Sequence, residues 1–573
     1  DHWGVAAADC RAEAGAVHHG NESLSYGDLA TAAAALEVPS DPPVKPRDKR
    51  TLIGRDLPRK DIPAKVDGSA DFGIDQRLDG MVYAAVAMPP MCGGDVKEFD
   101  PAPALAVPGV REVHRIDGAI AVVADHTWAA FRGRDALTVE WVDGPEPDLD
   151  NESISGMFAA KKAEDAVVMG SEGDPADALA NADTVLESVY ERPYLAHSPM
   201  EPMNCTVRLS ADLCEVWVPI QSVTWGARVA AEASGLPMEK VRIQPTYAGG
   251  GFGRRLMVDY VRQAVQVARA CGKPVQMVWS REDDMRQGMY RPASRHELKA
   301  GLDSEGAVTA WSHHLACPSI GGQLNPVGYE EGRDESAVDG ILNLPYGIPN
   351  RDTLYSMSNT AVPTCWLRSV YNTQNALANE CFMDEIASEA GVDPVKLRLD
   401  LLPADSRLRG TLERAKMEWG WPAKRADGRG HGVACHSCFG SHVTTMAEVS
   451  AEDGTMTVHR VLVVVDCGPV VHPDGMVNQI EGVVGFALSH LVGEEVVVEN
   501  GGVKSANFDD YPILSYAQMP EVEVVAIDSE EEIGGIGEPG YPPLGPAVLN
   551  AVFDATGVRI KKLPLAGQLA DQG

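Results

Sequence analysis

One carboxylate, Glu538, stands in an otherwise uncharged turn rich in glycine and proline, GGIGEPGYPP over residues 534–543. A carboxylate held in a stiff turn beside a reacting group can act as a general base. The glycines allow another molecule to approach the backbone closely, and the prolines restrict the path of the chain. By itself the turn leaves two interpretations open, a catalytic base or an ordinary loop acid.

A second feature is the glycine-rich stretch GGGFGRR at residues 249–255, which lies between a predicted strand and a predicted helix. Consecutive glycines let backbone N–H groups come close to an anion or an oxo group. The spacing fits neither the dinucleotide-binding fingerprint G-x-G-x-x-G nor the phosphate-binding P-loop. A purely structural turn with Phe252 as a plug remains the alternative.

Several other polar residues lie beside apolar segments of the sequence. Arg368 comes just before a predicted helix and could bind an anion or pair with a surface carboxylate. Gln479 opens an apolar helix, where its amide could point inward or merely cap the helix. The single C-x-x-C motif, Cys435-His436-Ser-Cys438, has no second pair at zinc-ribbon spacing. Ordinary thiols are therefore the favoured interpretation, and a zinc site is the alternative.

The overall composition limits the class of function. The chain of 573 residues is long enough for two or three packed units, and 44% of its residues are hydrophobic. Its net charge of −34 argues against nucleic acid as a partner, because phosphate binding needs clustered Lys and Arg. No apolar run approaches the roughly 18 residues that span a bilayer.

Periodicity predicts a mixed α+β fold. The Pro- and charge-rich stretch VPSDPPVKPRDKR at 38–50 is the clearest linker. From 51 to about 145, short alternating segments predict strands around the helix HTWAAFRGR. Further along, TWGARVAAEASGL and YVRQAVQVARACG are predicted helices that end at glycine. The Glu538 turn leads into a last predicted helix, PAVLNAVFDATG.

Taken together, seven stretches resemble the large, molybdenum-binding subunit of the xanthine oxidase family. The nearest type is the isoquinoline 1-oxidoreductase β-subunit, to which large subunits of some bacterial membrane-associated aldehyde dehydrogenases are similar. The stretches occur in the family's order and cover essentially the whole chain: DIPAKVDGSADFGID, YLAHSPMEPMN, GGGFGRR, WSREDDM, LRSVYNTQNA, VDCGPVVHPDGMVNQIEG and GGIGEPGYPPLGPAVLNAVFDATG.

The resemblance implies a domain order. Residues 1–50 would be the end of a preceding segment plus a linker, and 51–150 a small hammerhead-like α/β domain. Two large mixed α+β molybdopterin-binding domains would follow, the first over 151–405. The second, over 406–573, would carry the Glu538 turn.

The resemblance also implies residue roles. Glu538 would be the catalytic base, and the substrate pocket would include Arg368, Val370 and Leu256. The pterin would hold the molybdenum without protein ligands, with the Phe252 and Gly253 backbone near its oxo ligand. The implied cofactor-binding residues are Gly250, Gly251, Phe252, Gly253, Arg368, Gln479 and Gly537.

The implied activity is hydroxylation of an sp² carbon with water-derived oxygen, either aldehyde to carboxylic acid or ring hydroxylation of an N-heteroaromatic. The cofactor would be molybdopterin cytosine dinucleotide, with molybdenum carrying oxo, sulfido and hydroxo ligands. Electrons would pass to [2Fe–2S] clusters on a partner rather than to NAD. The alternative is a non-catalytic scaffold subunit with the same fold.

Departures from the family pattern shape the remaining expectations. The chain has neither the family's M-G-Q-G turn nor its Gly/Ser/Thr-rich cofactor loop, and it has no cluster-binding cysteine pattern. We therefore expect a small [2Fe–2S] subunit. We also expect that the N-terminal cofactor segment exists as a separate chain, or was removed or left out. The resemblance allows a c-type cytochrome subunit.

Two further departures concern the substrate. Leu256 and Val370 stand where purine-oxidising relatives carry an acid and an aromatic residue, which argues against xanthine and leaves aldehydes and N-heteroaromatics. Export signals in similar proteins favour the periplasm or the periplasmic face of the membrane, with the cytoplasm as the alternative.

Overall fold

A computed structural model of the chain describes residues 1–329, 331–422, 426 and 428–569. These residues form two compact units, Asp1–Arg55 and Asp56–Gly573. Within the described residues, no helix is long and apolar enough to cross a membrane.

The first unit contains a three-stranded antiparallel sheet of β1 (Arg11–Glu13), β2 (Ala16–His19) and β3 (Glu22–Ser25). Helix α1 (Tyr26–Ala33) follows β3 directly. The helix begins with a capping box, in which the Ser25 hydroxyl accepts from the Asp28 N–H and the Asp28 carboxylate accepts from the Ser25 N–H. Such a box satisfies backbone donors that the first turn leaves free.

The second unit holds the other elements. Its strands are β4 (Val82–Ala87), β5 (Asp95–Asp100), β6 (Val110–Ile116), β7 (Ala119–Ala124), β8 (Thr138–Val142), β9 (Val167–Glu172), β10 (Thr184–Arg192), β11 (Asn204–Leu209), β12 (Cys214–Val218), β13 (Val241–Pro245), β14 (Val275–Val278), β15 (Ser294–Leu302), β16 (Val308–Cys317), β17 (Asn350–Met357), β18 (Arg429–Cys438), β19 (Ser441–Glu452), β20 (Thr455–Asp466), β21 (Val498–Glu499), β22 (Gly502–Val503) and β23 (Glu521–Ala526).

Its helices are α2 (Ile62–Asp67), α3 (Ala102–Leu105), α4 (Thr127–Ala136), α5 (Asn151–Ala159), α6 (Pro175–Ala180), α7 (Val223–Ser234), α8 (Asp259–Cys271), α9 (Arg281–Arg286), α10 (Ile320–Leu324), α11 (Asn372–Glu389), α12 (Pro394–Leu401), α13 (Arg407–Trp419), α14 (Pro473–Val492) and α15 (Leu544–Thr556). The predicted α+β class is confirmed. Helices α7 and α8 end, as predicted, at left-handed glycines, Gly235 and Gly272.

Three larger sheets organise the unit. The first has strand order β13-β12-β11-β14-β4-β7-β6, the second β10-β15-β16-β17-β9 and the third β18-β19-β20-β23. Strands from the predicted hammerhead-like segment therefore share the first sheet with strands from beyond residue 200, through the parallel pair β4 and β14. The domain boundaries at 150 and 405 stay predictions.

The largest core lies between the third sheet and helices α11, α13, α14 and α15. Strand β18 packs on α15 without intervening side chains at two glycines. A Cβ at Gly430 would lie 2.2 Å from the Ala551 carbonyl oxygen, and one at Gly432 would lie 2.1 Å from that of Ala547. This close packing fixes helix α15, and the Glu538 turn leads directly into that helix.

Candidate active site

Loops from distant parts of the second unit meet around a cavity of about 760 Å³. The loops follow β12, β13, β17 and β23, and the second turn of α14 completes the wall. This is the size of cavity that holds a cofactor or drug-sized ligand. All of the predicted site residues line it: Gly250, Gly251, Phe252, Gly253, Leu256, Arg368, Val370, Gln479, Gly537 and Glu538.

The glycine-rich turn adopts backbone angles that explain its sequence. Gly250 and Gly253 have φ of 97° and 114°, in a region that L side chains rarely adopt. Phe252 has a φ of 54°, and its ring packs on Phe486 of α14 with centroids 4.6 Å apart. Phe252 is therefore the plug that the alternative interpretation required, yet the same turn lines the cavity.

Two side chains, the exposed Gln221 and the buried Arg255, hold this turn in place. The Gln221 side-chain oxygen accepts from the N–H of Gly253 at 3.1 Å and from that of Arg255 at 3.3 Å. The fully buried Arg255 guanidinium donates to the Gly250 carbonyl at 2.6 Å and to the Glu201 carboxylate at 3.2 Å. Sequence analysis singled out neither Gln221 nor the pairing of Arg255 with Glu201.

Arg368 connects three of the loops. Its backbone N–H donates to the Phe252 carbonyl at 2.9 Å, and its side-chain Nε donates to the Gly537 carbonyl at 2.7 Å. Its Nη2 donates to the Gln479 side-chain oxygen at 2.8 Å. Partial burial lowers the pKa of this guanidinium, while the nearby Glu538 carboxylate opposes the shift. Arg368 is thus a structural clamp of the site as well as a cation in its wall.

Glu538 is held in one orientation by the loop after Arg368. Its Oε1 accepts from the Ser369 backbone N–H at 2.8 Å, and the Ser369 hydroxyl donates to the Glu538 carbonyl at 2.7 Å. Ser369 and Val370 have φ of 71° and 49°, which costs about 1–3 kcal/mol at each residue. Such strain persists only where surrounding contacts enforce it, and here it presents a backbone donor to the carboxylate.

The remaining wall is mostly apolar. Leu256 and Val370 line the cavity beside Trp366, which sequence analysis did not identify. The cations of the lining are Arg255 and Arg368, and both already bind protein acceptors. This part of the wall suits an apolar, uncharged substrate surface.

The turn is suited to the molybdenum cofactor that the family resemblance implies. Within the described part of the chain, no protein acceptor takes the backbone N–H groups of Gly250, Gly251 or Phe252. Free backbone donors in a glycine turn favour an anionic or oxo-bearing group. A Cβ at Gly251 would lie 2.6 Å from the Gln221 side-chain oxygen, so a larger residue there would displace Gln221 from its hydrogen bonds to the Gly253 and Arg255 N–H groups.

Cys435, His436 and Cys438, the residues of the alternative zinc site, make contacts that do not suit metal ligands. His436 Nε2 bonds to the Asn372 side-chain oxygen at 2.8 Å, and the Cys435 backbone N–H donates to Glu380. Burial raises the pKa of both the Cys435 and Cys438 thiols, which favours neutral thiols. Over the described residues, no three His, Cys, Asp or Glu side chains are placed to hold a metal ion.

Comparison with known proteins gives a consistent result. Two family models, each described as a molybdopterin cofactor-binding domain, match residues 159–401 and 375–520. The chain is 31% identical to the β-subunit of isoquinoline 1-oxidoreductase of Brevundimonas diminuta, covering 92% of this chain and 70% of that protein. It is 29% identical to the membrane-bound aldehyde dehydrogenase (pyrroloquinoline-quinone) of Gluconacetobacter polyoxogenes, covering 97% and 78%.

A third relative is one of the subunits of nicotinate dehydrogenase from Pseudomonas putida, at 30% identity over 97% of this chain but only 50% of that protein. Among solved structures, aldehyde oxidoreductase from Desulfovibrio gigas aligns with a TM-score of 0.77 at 17% identity. That alignment covers 92% of this chain and 81% of the other, and at this identity it shows the shared fold alone.

Proposed function

The chain belongs to the xanthine oxidase family of molybdenum-binding subunits, and from that premise we propose that it is the catalytic subunit of a multi-subunit dehydrogenase. The reaction is hydroxylation of an sp² carbon beside O or N with water-derived oxygen. One observation carries the proposal: Glu538, Arg368, Gln479 and the glycine turn converge on a single cavity.

The reaction balances as substrate C–H plus water giving C–OH, two protons and two electrons. When bound, the molybdenum cofactor supplies the electron-accepting centre and activates the incoming oxygen. Glu538 receives a proton from that oxygen as the bond to carbon forms, the step that a general base accelerates. Since Oε1 is bound to the Ser369 N–H, the proton goes to Oε2, which has no hydrogen-bond partner among the described residues.

The other residues of the site bind the cofactor and orient the substrate. The free N–H groups of the glycine turn and the Gln479 amide hold the cofactor, and Arg368 fixes the spacing between the turn and the Glu538 loop. Leu256, Val370 and Trp366 exclude water around the substrate carbon. This apolar wall supports aldehydes or N-heteroaromatic rings as substrates, the two classes that appear in the names of the relatives.

The finer assignments belong to the same proposal. We assign the cofactor as molybdopterin cytosine dinucleotide and place [2Fe–2S] clusters on a small partner subunit, since the chain carries no cysteine pattern for them. A c-type cytochrome subunit completes the proposed complex. The word "membrane-bound" in one relative's name supports a place at the periplasmic face of the membrane.

The test uses the purified native complex. Metal analysis should find about one molybdenum per chain, and either acetaldehyde or isoquinoline should reduce an artificial electron acceptor. The reaction with one substrate and not the other would identify the class. A complex without stoichiometric molybdenum would overturn the proposal, as would a molybdenum-loaded complex inert to aldehydes and N-heteroaromatics.

A further inference from the structure

A buried polar cluster lies directly behind the cavity and takes no part in the chemistry described above. Its members are Tyr541, Arg291, His490, Glu494 and Arg192, each at most 6% exposed. They come from separate elements: the Glu538 turn, the loop before β15, the end of α14, the residues just beyond α14, and the end of β10. Buried charged side chains are costly unless they are paired, so this arrangement needs an explanation.

The phenol oxygen of Tyr541 is the centre of the cluster. It accepts from Arg291 Nη1 at 3.0 Å and forms a short hydrogen bond with His490 Nδ1. The Arg291 guanidinium also lies over the Tyr541 ring, 4.9 Å from its centroid. On the far side of His490, its Nε2 lies 3.2 Å from a Glu494 carboxylate oxygen.

The same groups hold the loops of the site. Arg291 Nη2 donates to the Leu367 carbonyl at 3.0 Å and, by a shorter bond, to the Arg368 carbonyl. The Tyr541 backbone N–H donates to the Glu538 carbonyl at 3.0 Å. Helix α14 carries both His490 and Gln479. One phenol oxygen therefore ties together the three segments that bring Arg368, Gln479 and Glu538 to the cavity.

The charge balance of the cluster points to an ionised phenol. Among the described residues, the side-chain partners of Arg291 are two backbone carbonyls and Tyr541, with no carboxylate. Arg192 is fully buried as well, and its Nε and Nη1 have no hydrogen-bond partner within the described part of the chain. A phenolate at Tyr541 would supply the counter-charge that these guanidinium groups lack.

We propose that Tyr541 is a positioning residue for the reaction, held as a phenolate between Arg291 and His490, where it fixes the Arg368 and Glu538 loops. The role in the reaction rests on the proposed function; the phenolate does not.

The electrostatics of the neighbourhood support the geometry. Burial opposes ionisation of this phenol, but Arg291, His490 and Arg192 outweigh it and lower the pKa of Tyr541 to about 7. Arg368 also acts on it, and the more distant Glu494 and Tyr511 complete the ionisable groups around the cluster. The other buried tyrosines have raised pKa values, because burial without such partners penalises the phenolate: Tyr190, Tyr194, Tyr260, Tyr290, Tyr346, Tyr355, Tyr371 and Tyr511.

The first measurement is independent of turnover. Ultraviolet absorbance of tyrosinate, followed against pH in the assembled complex, should show one tyrosine ionising near neutral pH. Tyr541→Phe should remove that step, and the control Tyr355→Phe, which deletes a buried phenol bonded to the Cys317 carbonyl and not among the cavity-lining residues, should keep it. Should Tyr541→Phe fail to fold, the wild-type titration decides alone: no ionisation near neutral pH overturns the phenolate.

The second measurement is kinetic, on complexes with equal molybdenum content. Tyr541→Phe should lower kcat roughly 10- to 100-fold, the range expected for loss of a hydrogen bond to a charged group, with KM changed less than about threefold. The acidic limb of the kcat profile near pH 7 should disappear with it. An active wild-type complex with an equally active Tyr541→Phe variant overturns the positioning role alone. An inactive, molybdenum-loaded wild type overturns that role together with the proposed function.

Discussion

Replacing Gly253 by alanine is expected to force apart the two loops that carry the glycine turn and Arg368. A Cβ at Gly253 would lie 1.7 Å from the Trp366 carbonyl oxygen and 2.8 Å from the carbonyl carbon. Both are backbone atoms, so no side-chain rotation can relieve the overlap. The φ of 114° adds strain for any residue with a Cβ.

The loss of stability in Gly253→Ala can be estimated from the backbone strain and from the hydrogen bonds that the substitution breaks. The unfavourable backbone conformation costs about 1–3 kcal/mol. Displacing the Trp366 carbonyl breaks its hydrogen bond with His197 at 2.9 Å and endangers the bond from the Arg368 N–H to the Phe252 carbonyl at 2.9 Å. At about 1 kcal/mol each, these bring the total to roughly 3–5 kcal/mol of lost stability.

The assay is guanidinium unfolding followed by tryptophan fluorescence, with Gly537→Ala as the matched control. That substitution adds the same methyl group to the same cavity, but its Cβ meets nothing closer than the Gln479 side-chain oxygen at 3.9 Å. We expect the control to stay within about 0.5 kcal/mol of wild type. A Gly253→Ala variant within about 1 kcal/mol of wild type would refute the reasoning.

Two further predictions concern buried ion pairs. Arg398→Met leaves the Glu380 carboxylate buried without its partner at 2.9 Å and should lower the free energy of unfolding by about 3–5 kcal/mol. The control Arg414→Met breaks the exposed pair with Glu418 and should lower it by less than about 1 kcal/mol. Equal losses in the two variants would contradict this expectation. Although burial opposes its ionisation, hydrogen bonds from Arg407 and two other donors lower the pKa of Asp466 to about 2. The stability that this adds is complete above the unfolded pKa near 3.8 and is lost as the pH falls through 2, so the stability gap between wild type and Arg407→Met should narrow over that range. A stability difference between wild type and Arg407→Met that is constant with pH would contradict a stabilising Arg407–Asp466 pair.

Much of the site was predictable because its residues stand out locally. Glycines in unusual runs, a single acid in an uncharged turn and an arginine before an apolar helix each carry a signal within a few residues. Gly250, Gly251 and Gly253 of the glycine run, Arg368 and Glu538 all line the cavity, as do Leu256, Val370 and Gly537, which only the family resemblance had indicated. The ends of α7 and α8 were predictable from local sequence as well, because each helix ends at a glycine that adopts left-handed backbone angles.

The parts that sequence analysis missed depend on long-range contacts. Gln221 looks like an ordinary residue after an edge-adjacent strand, and only the fold shows that it accepts from the glycine turn. Arg291 and Tyr541 are 250 residues apart, and although Tyr541 lies in the Glu538 turn, no local pattern pairs it with Arg291. The parallel pairing of β4 with β14 likewise joins segments that no local pattern connects. Periodicity identifies elements, but which distant elements meet is decided by packing of the whole chain.

The central claim, that Glu538 is the base of a molybdenum-dependent hydroxylation, is tested most directly by turnover of Glu538→Gln at equal molybdenum content. The glutamine side-chain oxygen can still accept from the Ser369 N–H, so the loop and the cofactor site should persist while the proton acceptor is lost. Turnover should fall roughly 10²- to 10⁴-fold, and Glu532→Gln, an exposed acid of the same loop, should leave it unchanged. A Glu538→Gln complex that retains its molybdenum and turns over within a few-fold of wild type would contradict the claim.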